Sequence, residues 1–465
     1  MVQEVLDVAD YIKTQFGDFV DRSTVDRSWL DSLFERYTPE GLYEGGDLVL
    51  MITGSYPGSI RFTGPSPSRM PTPGKIRGNR YTVQKRFYIM SEETDLFVKA
   101  LTRSKAGAFA QADVETMDRL ADEFVRYMER IDCGSGDGVA TYAITDVSGV
   151  TAANWTFTVP AADAVFYYQG MQMQFLTTVS GDANLNLRNS TMYDVPSPAG
   201  FYTCKSVEPN TTTAGADSAT LARITIYEAS PGSNSPANGA VCVFADAVAI
   251  GAHTAGTNAG REPRGLEGIC NNDGDTLQAD TDLTWTTDGT FQGLSVTTAP
   301  YWKAITMSAA SSRLLEPVLR KHADLMNAHS PGGGAANIDL YLTSMKSARF
   351  YEESLTAEKR ITIEGGRQVA DAQGGFSSSH AKDNEPESPK FGKVPIHSHR
   401  FKREGSTLAI CKKHLKRAQL LGTTWLEKHL NFSSRPAEGR EAIGILENFT
   451  GIRACHGRIE NEATV

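Results

Sequence analysis

The sequence predicts an α+β protein with a substantial β-rich insertion. Helix-like and strand-like patterns follow one another along the 465 residues in the order α, β, α, β. Residues 150–260 hold mostly short strand-like alternations separated by turn residues. An apolar content of 40% and a charged content of 22% are typical of a folded globular chain.

The first 47 residues are acidic and contain two short helical patterns. We predict helices at residues 2–16 and 26–37, with Asp26 capping the second. Eleven Asp or Glu and four Lys or Arg give residues 1–47 a net charge of −7.

Residues 48–90 predict a long β-hairpin of the opposite charge. The strand-like runs are "DLVLMIT", "SIRFT" and "RYTVQKRFYIM", and "GPSPSRMPTPGKIRGN" supplies an irregular tip rich in Pro and Gly. The segment holds no acidic residue. Its seven cations are Arg61, Arg69, Lys75, Arg77, Arg80, Lys85 and Arg86. This segregation of charge predicts that the hairpin contacts a partner surface of opposite sign, and these seven are the candidate site residues.

A long helix follows the hairpin, over residues 106–131. One apolar stripe runs along it, at Val114, Met117, Ala121, Phe124, Met128 and Ile131. The glycines at 134, 136 and 138 lie after the helix, where carbonyl groups are exposed, whereas a phosphate-binding loop precedes its helix. We interpret them as a helix stop.

Further helices are predicted at about 311–329 and 345–358. The segments "KVPIHSHRF" and "STLAIC" are predicted strands, and the last forty residues are again strand-like.

No motif in the sequence specifies an enzyme. GxSxG and HExxH are absent. His397, His399, Cys411 and His414 could supply four zinc ligands, but we interpret them as surface or interface residues in the basic run 390–417. That run could contact nucleic acid, although basic faces more often serve protein interfaces or solubility. The acidic stretch 271–282 lacks the EF-hand offsets and is interpreted as a solvated loop. We predict no catalytic residue, cofactor or bound metal.

Composition also excludes several classes of protein. A net charge of −9 argues against a general nucleic-acid binder. No apolar run approaches the ~20 residues that span a bilayer, and the first residues lack a signal-peptide pattern. The six cysteines have no paired spacing, which favours buried thiols in a reducing compartment.

The order of these parts resembles the major capsid proteins of tailed bacteriophages. The resemblance rests on residues 80–141, "RYTVQKRFYIMSEETDLFVKALTRSKAGAFAQADVETMDRLADEFVRYMERIDCGSGDGVAT". It continues in the same order with "GLEGI" (265–269), "PYW" (300–302), "GKVPI" (392–396) and "GSTLAIC" (405–411). These elements are similar to the returning arm of an extended loop, a long spine helix and later landmarks of the Hong Kong 97-type capsid fold.

That resemblance implies a division of the chain. The parts are an N-terminal arm (1–47), an extended loop (48–104), the spine helix and start of the core (105–149), an inserted β-rich domain (150–260), an axial domain (261–411), and peripheral-domain strands with the C-terminus (412–465).

The resemblance also implies a function and partners. It implies a subunit that self-assembles into hexamers and pentamers of an icosahedral shell around double-stranded DNA, assembled in the host bacterial cytoplasm and then located in the virion. The implied partners are other copies of the chain, a portal protein, a separate scaffolding protein, a decoration protein, and packaged DNA contacted without sequence specificity. Some relatives crosslink a loop lysine, and Lys75 or Lys85 could take that role, although nothing identifies their partners. An encapsulin-type cargo shell and a β-rich hydrolase are the alternatives.

Overall fold

In a computed structural model of the chain, the described residues form β-sheets of eight, six, five, three and two strands and four α-helices, one of them 28 residues long. The residues that it describes are 28–37, 43–44, 47–53, 78–83, 86–95, 106–136, 138–141, 143–148, 154–178, 185–187, 202–212, 215–218, 220–227, 238–244, 262–271, 290–295, 302–329, 338–361, 390–391, 394–425, 429–431 and 437–463.

The stem of the predicted β-hairpin is confirmed. Strands β2 (Tyr43–Glu44), β3 (Asp47–Thr53) and β4 (Gly78–Val83) form an antiparallel sheet. Leu48 pairs with Val83 at one end of the stem, and Thr53 pairs with Gly78 at the other. Residues 54–77, which include the predicted strand "SIRFT" (59–63) and most of the predicted tip (64–79), lie outside the described residues. The last two residues of the predicted tip, Gly78 and Asn79, begin β4 instead.

The stretch "RYTVQKRFYIM" is not one strand, as the sequence predicted, but two strands in different sheets. β4 ends at Val83, and β5 (Arg86–Asp95) pairs antiparallel with β23 (Ala437–Thr450). The reason is that β5 has an apolar face of its own, which packs against the long helix instead of extending the hairpin.

The helix predicted at 26–37 is wrong. Residues Asp31–Leu33 form a single 3-10 turn, and β1 (Glu35–Tyr37) pairs parallel with β21 (Leu415–Trp425). Leu30, Leu33 and Phe34 have helical spacing, but all three are buried in the core. Packing of these three side chains in the core, together with the pairing of β1 with β21, outweighs the local preference for a helix. The other predicted helix, 2–16, and Asp26 lie outside the described residues.

The long helix is confirmed as α1 (Ala106–Cys133). The C-terminal half of the predicted stripe, Ala121, Phe124, Met128 and Ile131, is buried against Met90 and Leu446. The Gly134 N–H donates to the carbonyl oxygen of Arg130 at 3.0 Å, and Gly136 takes φ of 82°. The glycines therefore end the helix, as predicted.

A five-stranded sheet packs on this helix. Its order is β1-β21-β23, with β22 (His429–Asn431) on the same side of β23 as β21 and with β5 on the opposite side.

The predicted β-rich region is one eight-stranded sheet, joined to a 3-10 turn at Ala161–Phe166. Its main path runs β6-β13-β9-β11-β12-β8-β7, with β10 beside β9. The strands are β6 (Val139–Thr141), β7 (Thr145–Ser148), β8 (Asn154–Pro160), β9 (Gln172–Thr178), β10 (Leu185–Leu187), β11 (Tyr202–Glu208), β12 (Leu221–Tyr227) and β13 (Val241–Phe244). The sheet therefore begins before residue 150, immediately after the glycines.

A short helix, α2 (Leu266–Cys270), lies against the end of α1. A Cβ on Gly265 would lie 2.0 Å from the Ile131 carbonyl oxygen, and one on Gly268 would lie 2.6 Å from that of Ser135. The glycines of "GLEGI" therefore allow a close backbone approach. A small hairpin, β14 (Thr290–Phe291) and β15 (Leu294–Ser295), contacts β4.

A six-stranded sheet with two helices completes the described fold, in the order β16-β24-β20-β17-β19-β18. Its strands are β16 (Ile305–Ser308), β17 (Leu340–Thr343), β18 (Lys390–Phe391), β19 (Val394–Ser398), β20 (Thr407–Ile410) and β24 (Gly457–Glu460). The helices are α3 (Glu316–His329) and α4 (Met345–Ile361), close to the predicted ranges.

Candidate assembly surface

The structure places only two of the seven predicted hairpin cations among the described residues. Arg80 lies exposed on β4, opposite the exposed Met51. Arg86 begins β5, and its Nε lies 3.1 Å from an oxygen of the buried Glu447. Since the Arg86 guanidinium pairs within its own chain, it belongs to the core of the subunit. Outside the described residues lie Arg61, Arg69, Lys75, Arg77 and Lys85.

The clearest surface feature is an apolar face of the five-stranded sheet. On β5, Phe87 is 68% exposed and Ile89 is 70% exposed. Their direct cross-strand partners on β23 are Ile445 and Ile443. Opposite residues in an antiparallel pair project from the same face, so the four apolar side chains form one patch.

The other face of the same strands is covered by α1. The Tyr88 ring lies 5.1 Å from that of Phe124, and its hydroxyl lies 2.8 Å from Thr423 Oγ1. Met90 is buried in the same cluster. Both faces of β5 are therefore apolar, but only one is covered within the described part of the subunit.

The sequence analysis did not predict this patch, although the sequence contains a pattern that indicates it. The run "FYIM" is apolar in both phases of the strand alternation, which is typical of a strand with two covered faces. We attributed the run to the charged hairpin instead.

A buried ionic cluster fixes the sheet to the end of α1. The Arg417 guanidinium bonds both Asp31 and Asp132, and its Nε donates to Asn448 Oδ1 at 2.7 Å. Burial lowers the pKa of Arg417 and raises the pKa of Asp132, so each ion depends on the opposite charge beside it. The cluster joins three distant segments of the chain.

A second cluster fixes α1 to the eight-stranded sheet. The carboxylate of Glu262 accepts hydrogen bonds from Arg130, at 2.9 Å for Nη1, and from the Tyr127 hydroxyl at 2.9 Å. The Arg130 guanidinium also lies 3.6 Å from the centre of the Phe244 ring. These contacts make the helix a shared support for two sheets.

The four zinc candidates do not form a centre. His397 and His399 lie beside the Trp29 ring, at 5.0 and 6.0 Å, and burial lowers the pKa of His399 to about 4. Burial raises the pKa of the Cys411 thiol. Within the described ranges, no group of three or more His, Cys, Asp or Glu could hold a metal ion.

Five of the nine cations in the basic run 390–417 form ion pairs within the described part of the chain. The pairs are Arg400–Glu129 at 2.7 Å, Arg403–Asp163 at 3.2 Å, Lys402–Glu267 at 3.6 Å, Lys416–Glu35 at 3.8 Å, and Arg417 with Asp31 and Asp132. The run therefore links the six-stranded sheet to other parts of the chain.

The acidic stretch lies outside the described residues beyond Asn271. None of the described helices is both long and apolar enough to cross a bilayer.

The chain is similar to solved capsid structures at low sequence identity. It is 10% identical to a chain of the cyanophage A-1(L) capsid, with 94% of this chain and 92% of that chain covered and a TM-score of 0.42. It is 8% identical to a chain of Mycobacterium phage Adephagia, with 94% and 90% covered and a TM-score of 0.37.

An encapsulin of Synechococcus elongatus is similar over a smaller region. There, 34% of this chain and 54% of that chain are covered, at 8% identity and a TM-score of 0.24. No family model and no curated protein matches the sequence.

Proposed function

We propose that the chain is the major capsid protein of a tailed bacteriophage, which assembles into the hexamers and pentamers of an icosahedral shell. The observation that supports this most directly is the apolar patch Phe87, Ile89, Ile443 and Ile445, in which Phe87 and Ile89 are 68% and 70% exposed. A patch of this kind on a folded subunit is typical of a protein–protein contact. It lies on the strand that directly follows the hairpin stem, in the element order that resembles the capsid family.

We assign the parts of the fold by that resemblance. In this proposal α1 is the spine helix, and the five-stranded sheet belongs to the peripheral domain. The six-stranded sheet with α3 and α4 is the axial domain, β3 and β4 form the root of the extended loop, and the eight-stranded sheet is the inserted domain.

The proposal includes the partners and location that the resemblance implies. These are further copies of the chain, a portal protein, a scaffolding protein, a decoration protein and packaged double-stranded DNA, in a virion assembled in the host cytoplasm. Its role is structural, without catalytic residues or a cofactor. No described feature favours the hydrolase alternative.

The test compares the apolar patch with a matched exposed site. Replacing Phe87 and Ile89 together by Ser removes the two most exposed side chains of the patch and leaves the helix-packed face intact. We expect the variant to fold and to remain small, whereas wild type, with its scaffold, forms closed particles of megadalton mass in light scattering and electron microscopy. Met345→Ser, at a position 60% exposed on α4, is the control and should assemble.

Normal particles from the Phe87/Ile89 variant would exclude the patch as a shell contact. A wild-type chain that stays monomeric with its scaffold would contradict the capsid proposal itself. Particles that contain protein cargo instead of nucleic acid would favour the encapsulin alternative.

A further inference from the structure

A cavity of about 520 Å³ lies between the insertion and the six-stranded sheet. Its walls come from the 3-10 turn Ala161–Phe166, the start of α4 and residues 399–404. Five cations line it: Lys346, Arg349, Arg400, Lys402 and Arg403. Asp163 and Glu404 also line it, and Glu129 and Glu267 pair with Arg400 and Lys402 from outside the lining. Among the described residues, Arg349 is therefore the one lining cation without a carboxylate partner, and it gives the site its surplus positive charge.

Three of the cations are fixed in place by the fold. The Arg403 guanidinium bonds Asp163 at 3.2 Å and the Val139 carbonyl oxygen at 2.6 Å, and Lys402 Nζ donates to Ser406 Oγ at 2.7 Å. Arg400 bonds Glu129 at 2.7 Å. Because these groups are already ordered, a ligand would not have to order them on binding.

Two of the cations are held loosely or not at all. Arg349 is exposed and makes no ion pair or side-chain hydrogen bond within the described part of the chain. Lys346 Nζ lies 3.7 Å from Glu404, which is long for a charge-assisted hydrogen bond. Both lie in the first two turns of the 17-residue helix α4, whose N-terminal end adds partial positive charge.

We propose that this cavity binds a phosphate group, either free in solution or in the backbone of a nucleic acid. Guanidinium and ammonium groups are the side chains that proteins use for phosphate oxygens. Because the five cations line one cavity, they can converge on a single phosphate group. The inference goes beyond the proposed function and applies to the unassembled subunit.

The first experiment titrates the full-length subunit with inorganic phosphate, followed by ³¹P NMR. We expect saturable binding that Arg349→Glu weakens at least tenfold. Arg320→Glu is the control, since Arg320 is an exposed helical arginine paired with Glu316 on α3. Circular dichroism checks the folding of Arg349→Glu, and Arg349→Ala replaces it if its fold is perturbed. Absent or non-saturable binding, or equal affinity in wild type and variant, would overturn the proposal.

The second experiment identifies the source of the phosphate group. Fluorescence anisotropy measures the affinity for a labelled 20-base-pair duplex over a range of salt. If the cavity binds a nucleic-acid backbone, Arg349→Glu should weaken duplex binding about tenfold and reduce the salt slope by about one ion. If free phosphate is the ligand, duplex binding should be equal in both proteins while phosphate binding is lost. Saturable binding of hexaglutamate at this cavity without binding of phosphate would refute the assignment.

Discussion

Single buried side chains connect parts of the chain that lie far apart in sequence. Arg417 is separated from Asp132 by 285 residues and from Asp31 by 386, yet one guanidinium bonds both carboxylates. All three side chains are nearly inaccessible to water. Loss of one member would leave buried charge without a counterion.

Arg417→Met should therefore lower the free energy of unfolding by about 3–5 kcal/mol, because Asp31 and Asp132 remain buried. Arg36→Met is the matched control, since Arg36 also lies near Asp31, at 3.7 Å, but is 41% exposed. The control should cost at most about 1 kcal/mol. Urea unfolding followed by circular dichroism measures both, and equal losses would contradict the role of burial.

Buried histidines make the stability of the fold depend on pH. Burial lowers the pKa of His456 to about 3, and those of His322 and His399 to about 4. The His456 Nδ1 accepts the Cys411 N–H at 3.4 Å, so its Nε2 donates to Thr450 Oγ1 at 2.9 Å. The neutral ring is the form that fits this site.

Since the unfolded state titrates near pH 6.5, it binds more protons than the native state between about pH 6.5 and 3. The stability contributed by neutral His456 is complete above pH 6.5 and is lost as the pH falls. His456→Gln should reduce the slope of unfolding free energy against pH by about 1 kcal/mol per unit between pH 6 and 5. Denaturant titrations at each pH measure it, and an unchanged slope would contradict the prediction.

At the scale of elements, the packing of the five-stranded sheet on α1 requires a glycine at position 444. A Cβ on Gly444 of β23 would lie 2.1 Å from Cζ of Tyr88, whose ring packs on α1. The glycine thus lets Tyr88 lie flat between strand and helix.

Gly444→Ala should therefore destabilise the subunit by about 1–3 kcal/mol, because the ring must leave its position. Thermal and urea unfolding would measure the loss. The same substitution in a Tyr88→Ala background should cost less than half as much. If the two costs are equal, the steric explanation is wrong.

Elements with strong local signals were predictable from the sequence. The apolar stripe with a 3.6-residue period predicted α1, and the glycines after it predicted where that helix ends. The alternation of apolar and polar residues predicted the strands of the hairpin stem. The segment at residues 28–37 was not predictable, because its apolar spacing suits a helix while its burial and its pairing with β21 depend on residues near the other end of the chain. The sheet to which β5 belongs was not predictable either, because its partner β23 is remote in sequence. For the same reason the sequence did not predict that Arg86 pairs with Glu447.

At the scale of the whole molecule, charge is segregated along the chain. Residues 1–47 carry a net charge of −7 and residues 107–132, with seven acids and three bases, a further −4, whereas residues 48–90 carry +7. We expect the hairpin to dock on a neighbouring copy through several weak ion pairs, each worth ~0–1 kcal/mol. Replacing Arg77, Arg80 and Lys85 together by Glu should leave a folded subunit that assembles slowly or not at all. Arg86 is left unchanged because a glutamate there would face Glu447 inside the same subunit.

Light scattering would follow assembly, and 1 M salt should slow the wild type as well, since the Debye length falls to about 3 Å. A control with the same change of charge replaces Arg320, Lys321 and Lys412, which are exposed elsewhere on the subunit. If the hairpin variant assembles as fast as this control, its cations do not direct docking.

The position of β24 also determines when the six-stranded sheet can close during biosynthesis. β24 lies between β16 and β20, both of which the ribosome makes earlier. At ~5–20 residues per second, translation from β16 to β24 takes roughly 7 to 30 seconds. Throughout that interval the nascent chain carries unpaired strand edges, which are prone to association with other chains. Only a polypeptide translated past Glu460 can therefore form the six-stranded sheet with β16 and β20 paired through β24.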